Sequence, residues 1–193
     1  MAVVQVDGKR VEAAPERWIV FHKPAGALTT RSDPHGGRTV YDLLPPELRS
    51  MRYVGRLDRD TEGLLLLANE GELAHRIVHP SSEIEREYHA GVVGRIDEVA
   101  LRRLTTGVEL EDGPATARRA RTLPDEPEGG VLSLVIAEGR KREVRRMLDA
   151  VGHRVRWLRR VRFGPIRLEP LPRGKWRDLS PQELTALREA VAR

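Results

Sequence analysis

Residues 55 to 67 read Gly-Arg-Leu-Asp-Arg-Asp-Thr-Glu-Gly-Leu-Leu-Leu-Leu, a charged, turn-rich loop running without a break into four consecutive leucines. Leu64 to Leu67 lack the polar alternation of a half-solvated strand, which predicts a strand covered on both faces. Such a strand has to pass through the middle of the molecule with a layer above and a layer below. The loop before it then lies at the rim of a buried sheet, with Asp58 backed by a rigid element. A lone Asp between glycine-rich turns is more often a turn or capping residue than a catalyst, so spacing alone leaves its role open.

The rest of the chain accommodates that arrangement. Its 193 residues suffice for one compact unit or two small lobes. Cysteine is absent, which removes disulfides, thiolate zinc sites and cysteine nucleophiles. No segment approaches membrane-spanning length and the first residues have no signal-peptide layout, so the expectation is a cytoplasmic protein with no membrane partner. Charge is concentrated: residues 138 to 162 hold ten Lys/Arg and three acids, a local net of +7 in a chain whose total is +5. A single basic patch on an otherwise slightly acidic body suits a polyanion. Arginine outnumbers lysine thirty to four, which favours bidentate phosphate contacts.

Periodicity and punctuation predict strands over 18–22, 52–54, 84–94, 115–123, 131–137 and 155–163, with another near Ile166. Helices are predicted over 39–44, 70–78 and 97–106, then a basic helix over 140–151 and a terminal helix with Ser180 as N-cap and Pro181 at its first position. Residues 30–37 form a Pro/Gly loop, and 124–130 a turn. On the 84–94 strand, Ile84, Tyr88, Ala90 and Val92 share a face. In the basic helix Val144, Met147, Leu148 and Val151 form an apolar stripe. Arg145 lies about 100° round from Val144, flanking the stripe at the edge of a cleft, while Arg142 and Arg146 point outward. The expected fold is α+β, a mostly antiparallel sheet in two lobes flanked by helices: a remnant or linker over 1–17, one lobe over 18–82 and a second over 83–193.

Three stretches carry a family signature. Gly55-Arg56-Leu57-Asp58, then Thr61, Gly63 and the leucines, forms the central one. Phe21-His22-Lys23-Pro24-Ala25-Gly26 precedes it, and Glu138-Gly139-Arg140-Lys141-Arg142-Glu143-Val144-Arg145-Arg146-Met147 follows. With Gly71 to Arg76, His79-Pro80, Glu85 to Tyr88 and Arg162 to Pro165, the chain over residues 18 to 180 resembles the RsuA-type ribosomal RNA pseudouridine synthases. The resemblance implies the pseudouridine synthase catalytic fold and a reaction that needs no cofactor or metal. It implies Asp58 as nucleophile or initiating base, Tyr88 as the active-site tyrosine, and Arg145 as the cation paired with Asp58, with Arg140 as second choice. RNA contacts fall to Arg56, Lys23, Arg140, Lys141, Arg142 and Arg146, and Leu158 supplies an apolar wall under the base. The implied partner is ribosomal RNA, large-subunit RNA in particular, naked or in a partly assembled subunit, with the protein a monomer. Many such enzymes begin with a small RNA-binding domain. Residues 3–11 look like only its trailing edge, as in a short-form member or a truncated start.

Two other classes compete on the residues alone. Asp58, Asp60 and Glu62 offer hard oxygens for magnesium, as a metal-dependent RNA-processing enzyme would use. The basic patch by itself would serve a non-catalytic RNA-binding module. Tyr88 and Leu158 compete as plain core residues, and Lys23 as a brace for the loop between the lobes.

Overall fold

The computed structural model describes residues 4–6, 9–11, 15–127 and 129–192. The chain opens with a hairpin of β1 (Val4–Val6) and β2 (Lys9–Val11). These are the described parts of the 3–11 segment; residues 3, 7 and 8 lie outside. Then come β3 (Trp18–Lys23), β4 (Arg52–Val54), β5 (Thr61–Ala68) and α1 (Gly71–Val78). Next are β6 (Arg86–Val92), α2 (Glu98–Thr106), the small hairpin β7 (Val108–Leu110) and β8 (Gly113–Ala115), and β9 (Arg119–Glu126) with β10 (Gly129–Ile136). The chain closes with α3 (Glu143–Ala150), β11 (Val155–Phe163), β12 (Ile166–Arg167), β13 (Trp176–Asp178) and α4 (Pro181–Ala190).

One nine-stranded sheet runs through the molecule in the order β13-β3-β5-β11-β6-β10-β9, with β4 added to β5 and β12 to β11. The strand pairs in it are antiparallel except β5 with β11, where Thr61, Glu62 and Gly63 lie opposite Leu158, Arg159 and Arg160. This junction joins the side of the sheet that holds β3, β4 and β5 to the side that holds β6, β9 and β10. The C-terminal segment returns to the first half, β13 pairing with β3 and Leu187 of α4 packing in the cluster of Trp18 and Val20.

All of β5 is buried, as an unalternated leucine run requires. Leu65 and Leu67 pack into one cluster with Ile19, Phe21, Leu44 and Leu48, and Leu64 and Leu66 into the other with Val20, Val54, Ile77 and Phe163. Each fully buried leucine contributes roughly 1.5–3 kcal/mol. The α3 stripe behaves likewise: Val144, Met147 and Leu148 are buried in the first cluster. Asp97 caps α2 through Ala100 N at 2.8 Å, and Ser180 forms a reciprocal capping box with Glu183.

Several expectations are corrected. Residues 39–44 form turns, because the Asp42 carboxylate takes the Thr39 N–H (2.7 Å) and hydroxyl (2.9 Å) and competes with helical bonding. The strand expected to stop at Leu123 continues to Glu126 through Pro124, which an edge strand tolerates. Ile84 precedes β6 and packs with Phe163 in the second cluster, away from Tyr88, Ala90 and Val92. The basic helix begins at Glu143; residues 141–142 form a turn, closed by Glu143 N donating to Arg140 O at 3.3 Å, with Arg142 at φ 52°. No helix among the described residues is long and apolar enough to cross a membrane.

Gly63 is the close-approach point of the β5–β11 junction. It sits at φ 111°, and a Cβ there would overlap the backbone carbonyl and amide of Arg160. Gly63→Ala is therefore expected to lower stability by more than about 2 kcal/mol, by strain and strand separation combined. The urea unfolding midpoint measures it, and an unchanged midpoint contradicts the close packing.

Candidate active site

Between the two halves of the sheet lies a cleft of about 600 Å³, lined by the 55–58 loop, Thr61, Tyr88, residues 136–144, Leu158 and Arg160. Its geometry starts with the loop between β4 and β5. Gly55 turns the chain at φ 69°, and from there six consecutive backbone carbonyls are each engaged by a donor from elsewhere. Arg160 Nη1 donates to Arg56 O (3.5 Å) and Thr29 Oγ1 to Leu57 O (2.8 Å). Lys23 Nζ donates to Asp58 O (3.0 Å), Arg59 O (3.3 Å) and Thr61 O (2.7 Å). Gly26 N also reaches Arg59 O at 2.6 Å, and Arg145 Nη2 reaches Asp60 O at 2.9 Å. The loop has no regular secondary structure, yet its backbone is held at every step.

Lys23, expected among the RNA contacts, is fully buried and therefore cannot touch RNA. Its ammonium braces the loop, with Pro24 O as a fourth acceptor at 3.1 Å. Burial pulls its pKa down to about 8, against the attraction of Asp60 and Asp58.

The loop's three carboxylates differ sharply. Asp60 is paired with Arg142 Nη1 at 3.0 Å and faces Arg145 Nε at 3.4 Å. These guanidiniums hold its carboxyl below the usual range in spite of partial burial. Glu62 is buried and takes Arg159 Nε at 2.6 Å and Arg173 Nε at 2.7 Å, and its pKa is likewise lowered against burial. Asp58 alone accepts no side-chain hydrogen bond from the described residues, and it lines the cleft. With Asp60 and Glu62 engaged by four guanidiniums, no group of three acids or histidines among the described residues converges as a metal site would.

The expected pairing of Arg145 with Asp58 takes a different form. Arg145 is 8% exposed and bonded to Asp60; its charge acts on Asp58 from a greater distance. The helix face explains this: Arg145 reaches the loop two residues beyond Asp58, where the Asp60 carboxylate and carbonyl meet it together. Arg140 belongs to another network, with Asp112 (3.2 Å), Glu138 (2.8 Å) and the carbonyls of Gly113 and Pro114. Arg146 also pairs with Asp112, at 2.7 Å.

Across the cleft, Tyr88 on β6 is 8% exposed, and its hydroxyl makes no hydrogen bond to the described protein. Leu158 on β11, opposite Ala90, is buried at the cleft wall. Asp58, Tyr88 and Leu158 thus meet in one cavity, with Arg56 and Lys141 exposed at its edge and unpaired among the described residues. The basic run of 138–162 is not one free face. Arg142, Arg145, Arg146, Arg156, Arg159 and Arg162 all pair with acids. Arg86 and Arg160, which line the cleft on β6 and β11, were not legible as site residues; a basic residue two places before Tyr88 was the only signal for Arg86.

A family model for RNA pseudouridylate synthases matches residues 17–150. The chain is 45% identical over 196 residues to ribosomal large subunit pseudouridine synthase B of Escherichia coli K12, covering 97% of this chain and 67% of that protein. It is 43% identical to an uncharacterized RNA pseudouridine synthase of Aquifex aeolicus, covering 98% of this chain and 76% of the relative. A crystal structure of a pseudouridylate synthase superposes with TM-score 0.81 at 30% identity, over 89% of this chain and 74% of that one. The human RNA pseudouridylate synthase domain containing 1 shares the fold at TM-score 0.59 and 19% identity, over 92% of this chain and 93% of that one. A free carboxylate on a braced loop, facing a tyrosine across a basic-edged cleft, thus occurs in a chain that belongs to the RNA pseudouridylate synthase family.

Proposed function

We propose that this protein converts uridine to pseudouridine in large-subunit ribosomal RNA, with Asp58 attacking the anomeric carbon or acting as the base that initiates glycal formation. In the reaction the C1′–N1 bond breaks, the uracil turns, and a C1′–C5 bond forms. The C5 hydrogen leaves as a proton and N1 takes one up, so no oxidant, reductant or energy source enters the balance. The observation that carries the reading is the disparity among the loop's carboxylates: Asp60 and Glu62 are neutralised by arginines, and Asp58 is left available in the cleft.

The other residues take complementary roles. Tyr88 offers a ring for the uracil to stack on, with Leu158 as the apolar wall beside it. The uridine must leave its stack to reach Asp58, and Arg56, exposed beside it, fills the vacancy. Arg145 positions Asp58 by fixing the neighbouring Asp60. The relative named for the large ribosomal subunit supports the choice of RNA, and naked or partly assembled large-subunit RNA is the form a compact enzyme can reach. Deleting the gene is expected to remove a pseudouridine from large-subunit RNA. Wild-type protein restores it and Asp58→Ala does not, as read by pseudouridine mapping and by tritium release from C5-labelled uridine. A loss confined to transfer RNA, or rescue by Asp58→Ala, overturns the proposal.

Lys23 gives a pH prediction. Its folded pKa of about 8 lies below the ordinary lysine value, so the ammonium that braces the loop is present below pH 8 and is lost as pH rises through it. Turnover is expected to fall along that basic limb. Lys23→Met lowers kcat about tenfold with little change in KM, and the limb is absent from its pH profile.

The RNA-facing charges separate in a salt titration. Lys141→Ala is expected to reduce the slope of log K against log salt by about one phosphate contact. Arg146→Ala, whose guanidinium already faces Asp112, changes the slope by less.

A further inference from the structure

Among the buried or cleft-lining arginines of this protein, most face a carboxylate. Arg56, at the exposed edge, does not, and neither do Arg86 and Arg160, which are withdrawn from solvent. Arg160 is 2% exposed; its Nε donates to Leu64 O at 2.8 Å, its Nη1 to Arg56 O, and its Nη2 is sealed from solvent with no acceptor. Arg86 donates Nη1 to Ala137 O (2.8 Å) and Glu138 O (3.0 Å), while its Nε and Nη2 make no hydrogen bond to the described residues. Neither forms an ion pair with an acid among the described residues.

The two guanidiniums face the same aromatic ring. Each Cζ lies 5.1 Å from the centroid of the Phe163 ring, and both side chains line the cleft beside Gly55, Arg56, Val78 and Pro80. Two like charges, largely withdrawn from water and bonded only to carbonyls, are an unfavourable arrangement unless an anion joins them. Glu143, a carboxylate whose charge acts on Arg86, is itself buried and faces Arg140 Nε at 3.8 Å. Neither guanidinium of the pair thus has a carboxylate within ion-pair distance among the described residues.

We propose that Arg86 and Arg160, at the Phe163 end of the cleft, form a phosphodiester subsite for the RNA phosphate flanking the uridine presented to Asp58. This rests on the reading of the substrate as a uridine in RNA. Strand geometry gives the placement. Arg86 and Tyr88 share one face of β6, about 7 Å apart along the strand, a span comparable to that between a base and its own phosphate. Arg160 lies directly opposite Tyr88 on β11. A uracil over Tyr88 thus brings its phosphate to the free nitrogens of Arg86, with the Arg160 charge beneath.

The test replaces single phosphates by uncharged methylphosphonates, 5′ or 3′ of the target uridine, in the large-subunit RNA fragment that wild-type protein modifies. One of the two replacements is expected to lower wild-type kcat/KM about 10- to 100-fold, the range of one charge-assisted hydrogen bond. It lowers kcat/KM of Arg86→Gln less than threefold, because that variant has already lost the contact. Arg86→Lys keeps part of the sensitivity. Indifference of the wild type to both replacements, or an equal loss in wild type and Arg86→Gln, overturns the subsite. Should wild-type protein modify no uridine in RNA, it is the functional reading that fails. The subsite is then judged by inorganic sulfate, which raises the wild-type melting temperature above a chloride control of equal ionic strength and leaves Arg86→Gln at its control value; equal responses overturn it.

Discussion

The structure depends on a buried ammonium. Lys23 gathers the carbonyls of Pro24, Asp58, Arg59 and Thr61 around one nitrogen, and thereby joins the end of β3 to the loop before β5. Its neighbours Thr29, Gly26, Arg145 and Arg160 occupy the other inward carbonyls of the loop. With its backbone oxygens held by fixed donors and the Leu57 side chain packed in the core, the segment leaves Asp58 facing the cleft. Asp58 thereby gains a fixed position without belonging to a helix or strand, which is how a catalytic group is held ready before substrate arrives. Removing the ammonium would leave several buried carbonyls without partners, a cost that ordinary surface substitutions never incur.

The arginines serve the same end from the opposite side of the cleft. Arg142 and Arg145 fasten α3 to Asp60, Arg140 and Arg146 fasten it to the β7–β8 hairpin at Asp112, and Arg159 and Arg173 converge on Glu62. Single exposed ion pairs contribute little stability; their value here is geometric, since each fixes one element of the cleft against another. Arg142 reaches its partner from a left-handed backbone conformation at the entrance to α3. Strain of that kind, about 1 kcal/mol, is tolerable where the surrounding contacts determine the conformation. The charge that composition suggested as a free polyanion surface is thus largely consumed in assembling the site, and Lys141, Arg56 and the Arg86–Arg160 pair stand apart from it.

What the sequence made legible follows from local causes. Four leucines without alternation signalled the central strand, the stripe of Val144, Met147 and Leu148 signalled a docked helix, and Ser180-Pro181 signalled the last helix start. Asp58, Tyr88 and Leu158 converge in one cleft, as motif resemblance implied. The missed features depend on distant partners. Between an RNA contact and a brace for Lys23 the sequence could not decide, because its acceptors lie 35 to 38 residues away for all but Pro24. The three residues of β13 form a strand because β3 offers an edge. Asp60 took Arg145 from Asp58 because the helix meets the loop two residues later than a motif read in one dimension can express.

The parallel junction between β5 and β11 also fixes when the site comes into being. Arg145 and Arg160, which complete the loop's donor set, follow the residues they hold by 85 to 104 positions. Contacts so distant in the chain slow folding, because long loops must close before the contacts form. During synthesis, at about 5–20 residues per second, the loop waits on the order of 5–20 seconds after it emerges before those arginines are made. In that interval the acidic loop has Lys23 as its early cation, and the cleft has no second wall. The carboxylate that we propose as catalytic is thus translated early and given its environment late, so the cleft stays incomplete until β11 has been made.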